Sequence, residues 1–466
     1  MANNLSQDQV SVIKDFRRYL EDNSNYMVVS GAAGTGKTTL IQELQTAAYD
    51  NSWKCIPLGV WGRSSSAIVQ ITGIPAVTVS KYNRVYDDIS RDKISEKSFS
   101  EWYQNFYQKK FSFFSSYVAP ILKIFLQKRN EFMNTVLIID EASTLEIDEL
   151  LLAYKNTLSN SSKVKILLLG DDCQLPPRNA NANKLFDYTW IEDNTLFKTF
   201  EKIKKLEISH RVSEGPLFNL ANSIRNIVSE NGTGKDARTA IRDSFNSKEV
   251  LGLGKQICYE KLKNSNNIKE NIFIASEDEA AEVRNDLRNI YLNNPQEPLV
   301  KNDFIRSRIN GIKDDFVTGD EFYVKEVRDK IGNFVIVNVE VVSRIKEYTG
   351  NLLRDIWKFS SGLFTNNQNR EATIAIYLPP LIDDAEFARG TNFVRADIFR
   401  AWYSLNEEPN VDDVVAVSYG YAVTIKHAQG GEWNTVALSL DAEVKTDNAR
   451  YWYTAITRAK KELLII

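Results

Sequence analysis

The segment at residues 31–38 reads GAAGTGKT and fits the pattern G-x-x-x-x-G-K-[ST]. It follows a short apolar run, residues 26–30 (YMVVS), and precedes a stretch that is predicted to be helical from Thr38. In this strand-loop-helix context, backbone N–H groups can turn inward around a chain of phosphates. The glycines permit the turn, and the N-terminus of the following helix adds partial positive charge. The loop therefore predicts an α/β fold that binds a nucleotide.

The loop also predicts how a triphosphate is held. Lys37 is expected to reach the β- and γ-phosphates, and the Thr38 hydroxyl is expected to ligate Mg²⁺. The residues expected to surround the nucleotide are Gly31, Ala32, Ala33, Gly34, Thr35, Gly36, Lys37, Thr38 and Thr39. A second GTGK, at residues 232–235, has no apolar run before it and continues with Asp236. We interpret it as a flexible turn in a polar loop, residues 229–237.

An apolar run at residues 136–139 (VLII) ends in two carboxylates, Asp140 and Glu141. Successive strand residues point to opposite faces, but at the end of a strand both side chains can line one crevice. Asp140 suits the coordination environment of Mg²⁺, in its second shell, and Glu141 suits a base that orients the attacking water. The pair follows a buried-type strand downstream of the phosphate loop, which favours a functional interpretation.

Three positions further along the chain suit contacts with the phosphates. Residues 170–177 (GDDCQLPP) follow another apolar run, and the Gln174 amide there could contact the γ-phosphate. A strand end with a polar cap is an equally good interpretation of that turn. Arg211 and Arg458 lie far along the chain from the loop, and a guanidinium can stabilise the charge on a transferring phosphoryl group. Such distant arginines suggest that a second lobe closes on the nucleotide.

Apolar runs that alternate with helical patterns indicate parallel sheets. One such pattern covers the first 205 residues, with strands near residues 26–30, 56–60, 135–139 and 164–169 and a helix at 5–20. It is interrupted at 82–135 by a segment rich in aromatics and lysines, which we interpret as a helical or hairpin insert. A second pattern begins near residue 206, with a strand at 271–275 and a final strand at 462–466, and residues 300–410 are predicted to be β-rich.

Composition excludes several classes of protein. The 466 residues carry a net charge of −3, and hydrophobic residues make up 43%, as in an ordinary globular chain. Cys55, Cys173 and Cys258 are far apart and form no CxxC pair, and there are only 2 histidines, which argues against a zinc site or a disulfide framework. No apolar run is long enough to span a bilayer, and the N-terminus does not resemble a signal peptide. A cytoplasmic protein without a membrane partner is therefore expected.

A set of segments resembles a superfamily 1 DNA helicase of the RecD/Dda branch, and the whole chain is similar to phage Dda-type helicases. In chain order the segments are LSQDQ (5–9), GAAGTGKTT (31–39), LIIDEAS (137–143), GDDCQLPP (170–177), SHR (209–211), TIKHAQGGEWNTV (424–436) and YTAITRAKK (453–461). They run from one end of the chain to the other in the order of that family, and the last two are highly specific together.

The resemblance implies a role for individual residues. Gln9 would hold the adenine, and Glu432 would contact the ribose or the phosphate-linked loop. The residues implied in ATP hydrolysis are Lys37, Thr38, Asp140, Glu141, Gln174, Arg211 and Arg458. The residues implied in DNA binding are Trp61, Arg63, Ser64, Thr78, Ser80, Thr424 and His427. The family usually has Pro-Thr before the first of these motifs; here residues 60–65 read VWGRSS, which leaves the individual roles of Trp61, Arg63 and Ser64 open.

The resemblance also implies the architecture: two RecA-like lobes, residues 1–81 with 136–205 and residues 206–295 with 411–466. The insert at 82–135 would split the duplex, and residues 296–410 would form an SH3-like subdomain over the strand. A monomer would hydrolyse ATP with Mg²⁺, move 5′ to 3′ along single-stranded DNA and unwind duplex DNA that has a single-stranded tail. Single-strand-binding or replisome proteins would be partners, in replication, repair or recombination within a phage-infected bacterium.

Other functions fit the residues as well. A nucleic-acid-binding protein could use ATP as a switch without unwinding, and an RNA-directed helicase could use the same motifs. A general P-loop kinase should lack the paired motifs near residues 426 and 458.

Overall fold

A computed structural model provides the structure of the chain. The residues it describes are 5–74, 76–80, 82–83, 134–159, 161–177, 184–187, 196–201, 203–208, 215–245, 247–264, 268–309, 311–312, 316, 318–343, 370–382, 391–405, 409–441 and 448–466. The chain divides into two compact units: unit 1 is Met1–Arg211 with Lys346–Thr365, and unit 2 is Val212–Ile345 with Asn366–Ile466. Among the described helices, none combines the length and the apolar character that crossing a bilayer requires.

Unit 1 is built on a six-stranded sheet in which each pairing between the described strands is parallel. Its spatial order is β3-β2-β4-β5-β1-β6. The strands are β1 (Tyr26–Gly31), β2 (Lys54–Gly59), β3 (Val77–Thr78), β4 (Thr135–Asp140), β5 (Val164–Gly170) and β6 (Lys204–Leu206). Strands β1, β4 and β5 are buried along their whole length, as expected for a parallel sheet that is covered on both faces.

Helices cover both faces of this sheet. They are α1 (Gln7–Glu21), α2 (Lys37–Asp50), α3 (Gly62–Thr72) and α4 (Ile147–Leu158), with short 3₁₀ turns at Ala142–Thr144 and Lys184–Phe186. Because neighbouring strand residues point to opposite faces, Met27 packs in a core cluster with Phe16 and Leu40, whereas Val28 packs in a second cluster with Leu150. Unit 1 therefore has an α/β/α arrangement, which leaves the ends of the strands for the connecting loops.

Unit 2 contains a second parallel sheet and an antiparallel sheet. Its strands are, in chain order, β7 (Val250–Gly252), β8 (Asn271–Ala275), β9 (Phe304–Ser307), β10 (Glu321–Ile331), β11 (Phe334–Ser343), β12 (Arg370–Tyr377), β13 (Asp413–Val415), β14 (Val417–Tyr419), β15 (Ala422–Thr424), β16 (Trp433–Leu438) and β17 (Ala459–Ile465). The five-stranded sheet has the order β15-β8-β16-β17-β7 and is parallel. The six-stranded sheet has the order β13-β12-β11-β10-β9-β14 and is antiparallel except between β12 and β13.

The helices of unit 2 are α5 (Pro216–Ser229), α6 (Gly234–Asp243), α7 (Lys255–Asn264), α8 (Ala280–Leu292), α9 (Pro379–Ile382), α10 (Thr391–Trp402), α11 (Ile425–Ala428) and α12 (Ala449–Ile456). Two buried ion pairs connect elements of unit 2. One joins α8 to the loop before β9, and the other joins β9 to β10. Arg288 forms two hydrogen bonds to Asp303, at 2.7 and 2.8 Å, and Arg306 binds Glu321. Each charge is thus desolvated together with its partner, and the antiparallel sheet is fixed to the rest of unit 2.

The structure confirms the prediction of an α/β fold with two parallel-sheet lobes. The predicted hairpin strands in residues 319–342 are β10 and β11, and the strand at 271–275 is β8. The interpretation of residues 229–237 as a polar loop with a flexible turn is wrong. Helix α6 begins at Gly234, because Thr233 and Asp236 hydrogen-bond to each other's backbone N–H and cap its first turn.

Other predictions fall outside the described residues. The insert predicted at 82–135 is described only at residues 82–83 and 134–135, so its proposed role in strand separation lies outside the described residues. Arg211 and the side chain of Arg63 lie outside them as well.

Candidate nucleotide-binding site

The sheet order of unit 1 brings the predicted motifs together. Strand β5 lies between β4 and β1, and all three are parallel, so their carboxyl ends meet at one edge. The glycine-rich loop follows β1, Asp140 is the last residue of β4, and the turn with Gln174 follows β5. The edge where parallel strands end is where α/β proteins bind ligands.

The loop after β1 has the backbone conformation that its glycines allow. Gly34 and Gly36 have φ values of 83° and 76°, in the left-handed region that favours glycine. A Cβ atom on Gly31 would lie 2.6 Å from Thr35 Oγ1, so a larger residue would displace the loop. The Lys37 ammonium donates to the carbonyls of Gly31, at 2.7 Å, and Ala32, at 3.0 Å. The positive charge of Lys37, the first residue of helix α2, is therefore held against the loop.

Thr38 and Asp140 are in direct contact. The Thr38 hydroxyl donates to Asp140 Oδ2 at 2.7 Å, and the Glu141 N–H donates to Asp140 Oδ1 at 3.0 Å. The Asp140 side chain is buried, and this burial together with the negative charge of Glu141 raises the pKa of Asp140 to about 6, although the hydrogen bond from Thr38 opposes the shift. A buried carboxylate beside a hydroxyl is an oxygen-donor pair that a hard divalent cation favours.

Glu141 lies at a sharp change of backbone direction. Its φ value is 56°, which is uncommon for a residue with a side chain, and it precedes the 3₁₀ turn Ala142–Thr144. Both the Thr144 N–H, at 3.3 Å, and the Thr144 hydroxyl, at 3.2 Å, donate to the Glu141 carbonyl. The conformation after β4 is therefore maintained by hydrogen bonds from the next turn.

The turn after β5 is tied to the strand before the glycine-rich loop. Gln174 is 3% exposed, and its amide donates to Asp171 Oδ2 at 3.4 Å. The Ser30 hydroxyl donates to Asp172 Oδ1 at 2.8 Å, which links the end of β1 to this turn. Sequence reasoning missed Ser30, because a serine within an apolar strand gives no signal of a partner 142 positions away.

Gln9 is placed beside the loop by helix α1. Its side-chain amide donates to the Thr35 carbonyl at 3.1 Å, and its Oε1 accepts from the Ser6 N–H at 3.0 Å. The neighbouring Asp8 carboxylate accepts from the backbone N–H groups of Glu207 and Ile208, which help lower its pKa against the effect of partial burial. The start of α1 is thus fixed to the glycine-rich loop on one side and to the segment after β6 on the other.

Comparison with known proteins shows which families and relatives the chain is similar to. The AAA domain family matches residues 4–187, and the UvrD-like helicase C-terminal domain family matches residues 419–466. The RecBCD enzyme subunit RecD of Buchnera aphidicola subsp. Schizaphis graminum is 23% identical over 490 residues, covering 95% of this chain and 70% of that protein. The chain is thus similar to RecD over most of its length and to UvrD-like helicases in its C-terminal residues.

Two further proteins are similar to this chain. The crystal structure of Pif1 helicase from Candida albicans has the same fold, with a TM-score of 0.52 at 15% identity over 99% of this chain and 94% of that one. An uncharacterized protein of Methanocaldococcus jannaschii is 22% identical over 94% of this chain, which spans 36% of that protein's length. The glycine-rich loop after β1 lies within the residues that match the AAA domain family. A specific relationship to phage Dda helicases stays a prediction.

The DNA-binding candidates of unit 1 lie at the ends of β2 and β3. The Trp61 side chain is 41% exposed, directly before α3, and Ser80 is exposed after β3. Ser64 and Thr78 are buried, and the Ser64 hydroxyl forms hydrogen bonds to the backbone of Trp61 at the start of α3. Ser64 thus stabilises the helix start, and a direct contact between its side chain and DNA stays a prediction.

The candidates of unit 2 lie on the loops and helices around its parallel sheet. The Thr424 hydroxyl is 2.8 Å from His427 Nδ1 at the start of α11, and His427 is exposed. The exposed Glu432 forms an ion pair with Lys460 at 3.4 Å. Arg458 is 3% exposed and donates to the carbonyls of Thr454 and Gly431 and to the Thr457 hydroxyl. In unit 2 the Arg458 guanidinium is thus oriented by the end of α12, which precedes it, and by the loop before β16.

Proposed function

We propose that this chain couples ATP hydrolysis to movement along single-stranded DNA, 5′ to 3′, and to unwinding of duplex DNA with a single-stranded tail. The observation that carries the proposal is the contact between Thr38 and Asp140 at the shared edge of β1, β4 and β5. It joins the glycine-rich loop to the acidic pair, the two parts of a phosphate-binding site that activates water. The similarity to RecD and to Pif1 supports DNA as the substrate.

The donor atoms at the site fit Mg²⁺. The Thr38 hydroxyl and the Asp140 carboxylate are oxygen ligands in contact with each other, and Asp140 is buried with a raised pKa. Thr38 and Asp140 would hold the ion, which when bound would neutralise charge on the phosphate oxygens. Glu141 would orient the attacking water, and Lys37 would bind the phosphates, as the loop geometry supports.

The test uses the whole chain and three kinds of substrate. ATP hydrolysis is measured alone, with single-stranded DNA and with RNA of the same sequence, and strand separation is measured on duplexes tailed at the 5′ or the 3′ end. The proposal predicts that DNA stimulates hydrolysis more than RNA and that only the 5′-tailed duplex is separated. DNA-stimulated hydrolysis without strand separation would support an ATP-driven switch instead, and equal stimulation by RNA would contradict the choice of DNA.

Magnesium is tested in the same assay. Hydrolysis is expected to stop when the divalent cation is chelated and to return when Mg²⁺ is added in excess. Unchanged hydrolysis without a divalent cation would contradict the proposal that Thr38 and Asp140 hold Mg²⁺.

A further inference from the structure

Trp61 combines an exposed aromatic ring with a hydrogen bond into the site of hydrolysis. Trp61 is 41% exposed, on the connection between β2 and α3. Its indole N–H nevertheless has a partner, since Nε1 donates to the Thr144 hydroxyl at 2.8 Å. An exposed tryptophan whose polar atom is satisfied by the protein leaves its face available to another planar group.

The hydrogen bond from Trp61 continues directly to the acidic pair. The Thr144 hydroxyl donates in turn to the Glu141 carbonyl at 3.2 Å, and Thr144 is buried. A second connection runs through the backbone, because the Val60 N–H donates to the Asp140 carbonyl at 3.2 Å. The segment that carries the exposed ring is therefore attached to both acidic residues over a short path within unit 1.

The hydrogen bonds from Thr144 end at the backbone of Glu141, where they hold an uncommon conformation. Its left-handed φ of 56° depends on surrounding hydrogen bonds, and Thr144 supplies two of them to the Glu141 carbonyl. A shift of the Trp61 ring would move the Thr144 hydroxyl, and with it the peptide that orients the Glu141 carboxylate. Small displacements of a catalytic group are enough to change a rate strongly.

We propose that a base of single-stranded nucleic acid stacks on Trp61 and that the Trp61–Thr144–Glu141 hydrogen bonds transmit this contact to the orientation of Glu141. Trp61 is then a binding residue for the nucleic acid, and Thr144 is a positioning residue for Glu141. The inference rests on the proposed function, and it names the contact through which the strand stimulates hydrolysis. A stacked base needs no particular sequence, which suits a protein that moves along a strand.

Four variants separate stacking from transmission. Trp61→Phe keeps an aromatic face but removes the N–H donor, and Trp61→Ala removes both. Thr144→Val removes the hydroxyl at nearly constant volume, and Thr144→Ser is the matched control that retains it. For each variant, ATP hydrolysis is measured with and without oligo(dT), which gives the stimulation ratio and the oligo(dT) concentration for half-stimulation. Thermal unfolding verifies that each variant is folded.

Loss of one hydrogen bond is expected to lower the stimulation ratio about three- to tenfold in Trp61→Phe and in Thr144→Val. In Trp61→Phe the half-stimulating concentration should change less than about threefold, whereas in Trp61→Ala it should rise about five- to a hundredfold because stacking is lost. Thr144→Ser should keep the stimulation ratio of the unchanged protein. The double variant Trp61→Phe/Thr144→Val should lose no more than either single variant, since both remove the same connection.

The outcomes distinguish this inference from the function on which it rests. If single strands do not stimulate hydrolysis by the unchanged protein, the proposed function fails. If they do, and Trp61→Phe and Thr144→Val retain the full stimulation ratio, the transmission path is wrong while the helicase function stands. A merely structural role for Thr144 would lower the basal and the stimulated rates by the same factor and leave the ratio unchanged, which also contradicts the inference.

Discussion

Lys37 and Lys235 end identical Gly-Thr-Gly-Lys sequences but have different surroundings. Lys37 is buried at the start of α2, directly after the glycine-rich loop, whereas Lys235 is exposed in the first turn of α6. Lys37→Ala is expected to reduce ATP turnover at least about a hundredfold, because it removes the positive charge that would bind the phosphates. Lys235→Ala, the matched control, should change turnover less than about twofold, as surface substitutions usually do. Turnover above about a tenth in Lys37→Ala would contradict the phosphate-binding role.

Arg458 tests a different residue-level hypothesis, because it has structural partners as well as an implied catalytic role. Its guanidinium donates to three groups of unit 2: two backbone carbonyls and the Thr457 hydroxyl. We expect Arg458→Ala to lose ATP turnover while it retains ATP binding, because the charge would act on the transferring phosphoryl group. ATP affinity is measured with a fluorescent analogue, next to the rate of hydrolysis. Equal loss of affinity and rate, together with a lower unfolding temperature, would indicate a structural role instead.

At the scale of elements, Lys165 fixes helix α1 to the sheet. The Lys165 side chain is buried at the start of β5, and its ammonium donates to the carbonyls of Tyr19, of Asp22 at 2.8 Å and of Ser24 at 2.7 Å. These carbonyls belong to the last turn of α1 and the residues after it, where a cation is favourable. The same helix carries Gln9 to the glycine-rich loop. Lys165 is therefore expected to influence the site only through the placement of α1.

Lys165→Met is expected to lower the free energy of unfolding by about 3 kcal/mol, because buried carbonyls lose their donor. The exposed Lys163, two positions earlier, provides the control, and Lys163→Met should change stability by less than about 0.5 kcal/mol. Urea unfolding monitored by circular dichroism measures both. Equal midpoints for the two variants would show that the Lys165 ammonium contributes nothing to the attachment of α1.

Elements with strong local signals could be predicted from the sequence, and others could not. Strands β4 and β5 each contain four consecutive apolar residues, and the sequence predicts both strands to within one residue at the ends. The error at residues 229–237 arose because Gly-Thr-Gly favours a turn, while the cap formed by Thr233 and Asp236 starts a helix within it. The glycines indicated a break correctly, but the capping residues determine that a helix begins directly after the break.

At the scale of the whole molecule, topology explains which parts of the site were predictable. Loops after parallel strands must meet at one edge, so the sequence predicts that Lys37, Thr38 and Asp140 approach one another. The hydrogen bonds between Ser30 and Asp172 and between Trp61 and Thr144 were not predictable. They join residues that are far apart in sequence, and no local pattern indicates which side chains across neighbouring strand ends will pair.

Whether one chain is sufficient for hydrolysis is also a property of the whole molecule. We propose that hydrolysis requires both Lys37 and Arg458 and that one polypeptide supplies both residues. Lys37→Ala retains Arg458, and Arg458→Ala retains Lys37, so each inactive variant carries the residue that the other lacks. If the protein acts as a monomer, an equimolar mixture should show only the sum of the two residual rates. If copies complete each other's sites, the mixture should hydrolyse ATP well above that sum. Sedimentation at the same concentrations, with single-stranded DNA present, then shows whether the copies associate. Recovered activity together with association would contradict the proposal that the protein acts as a monomer.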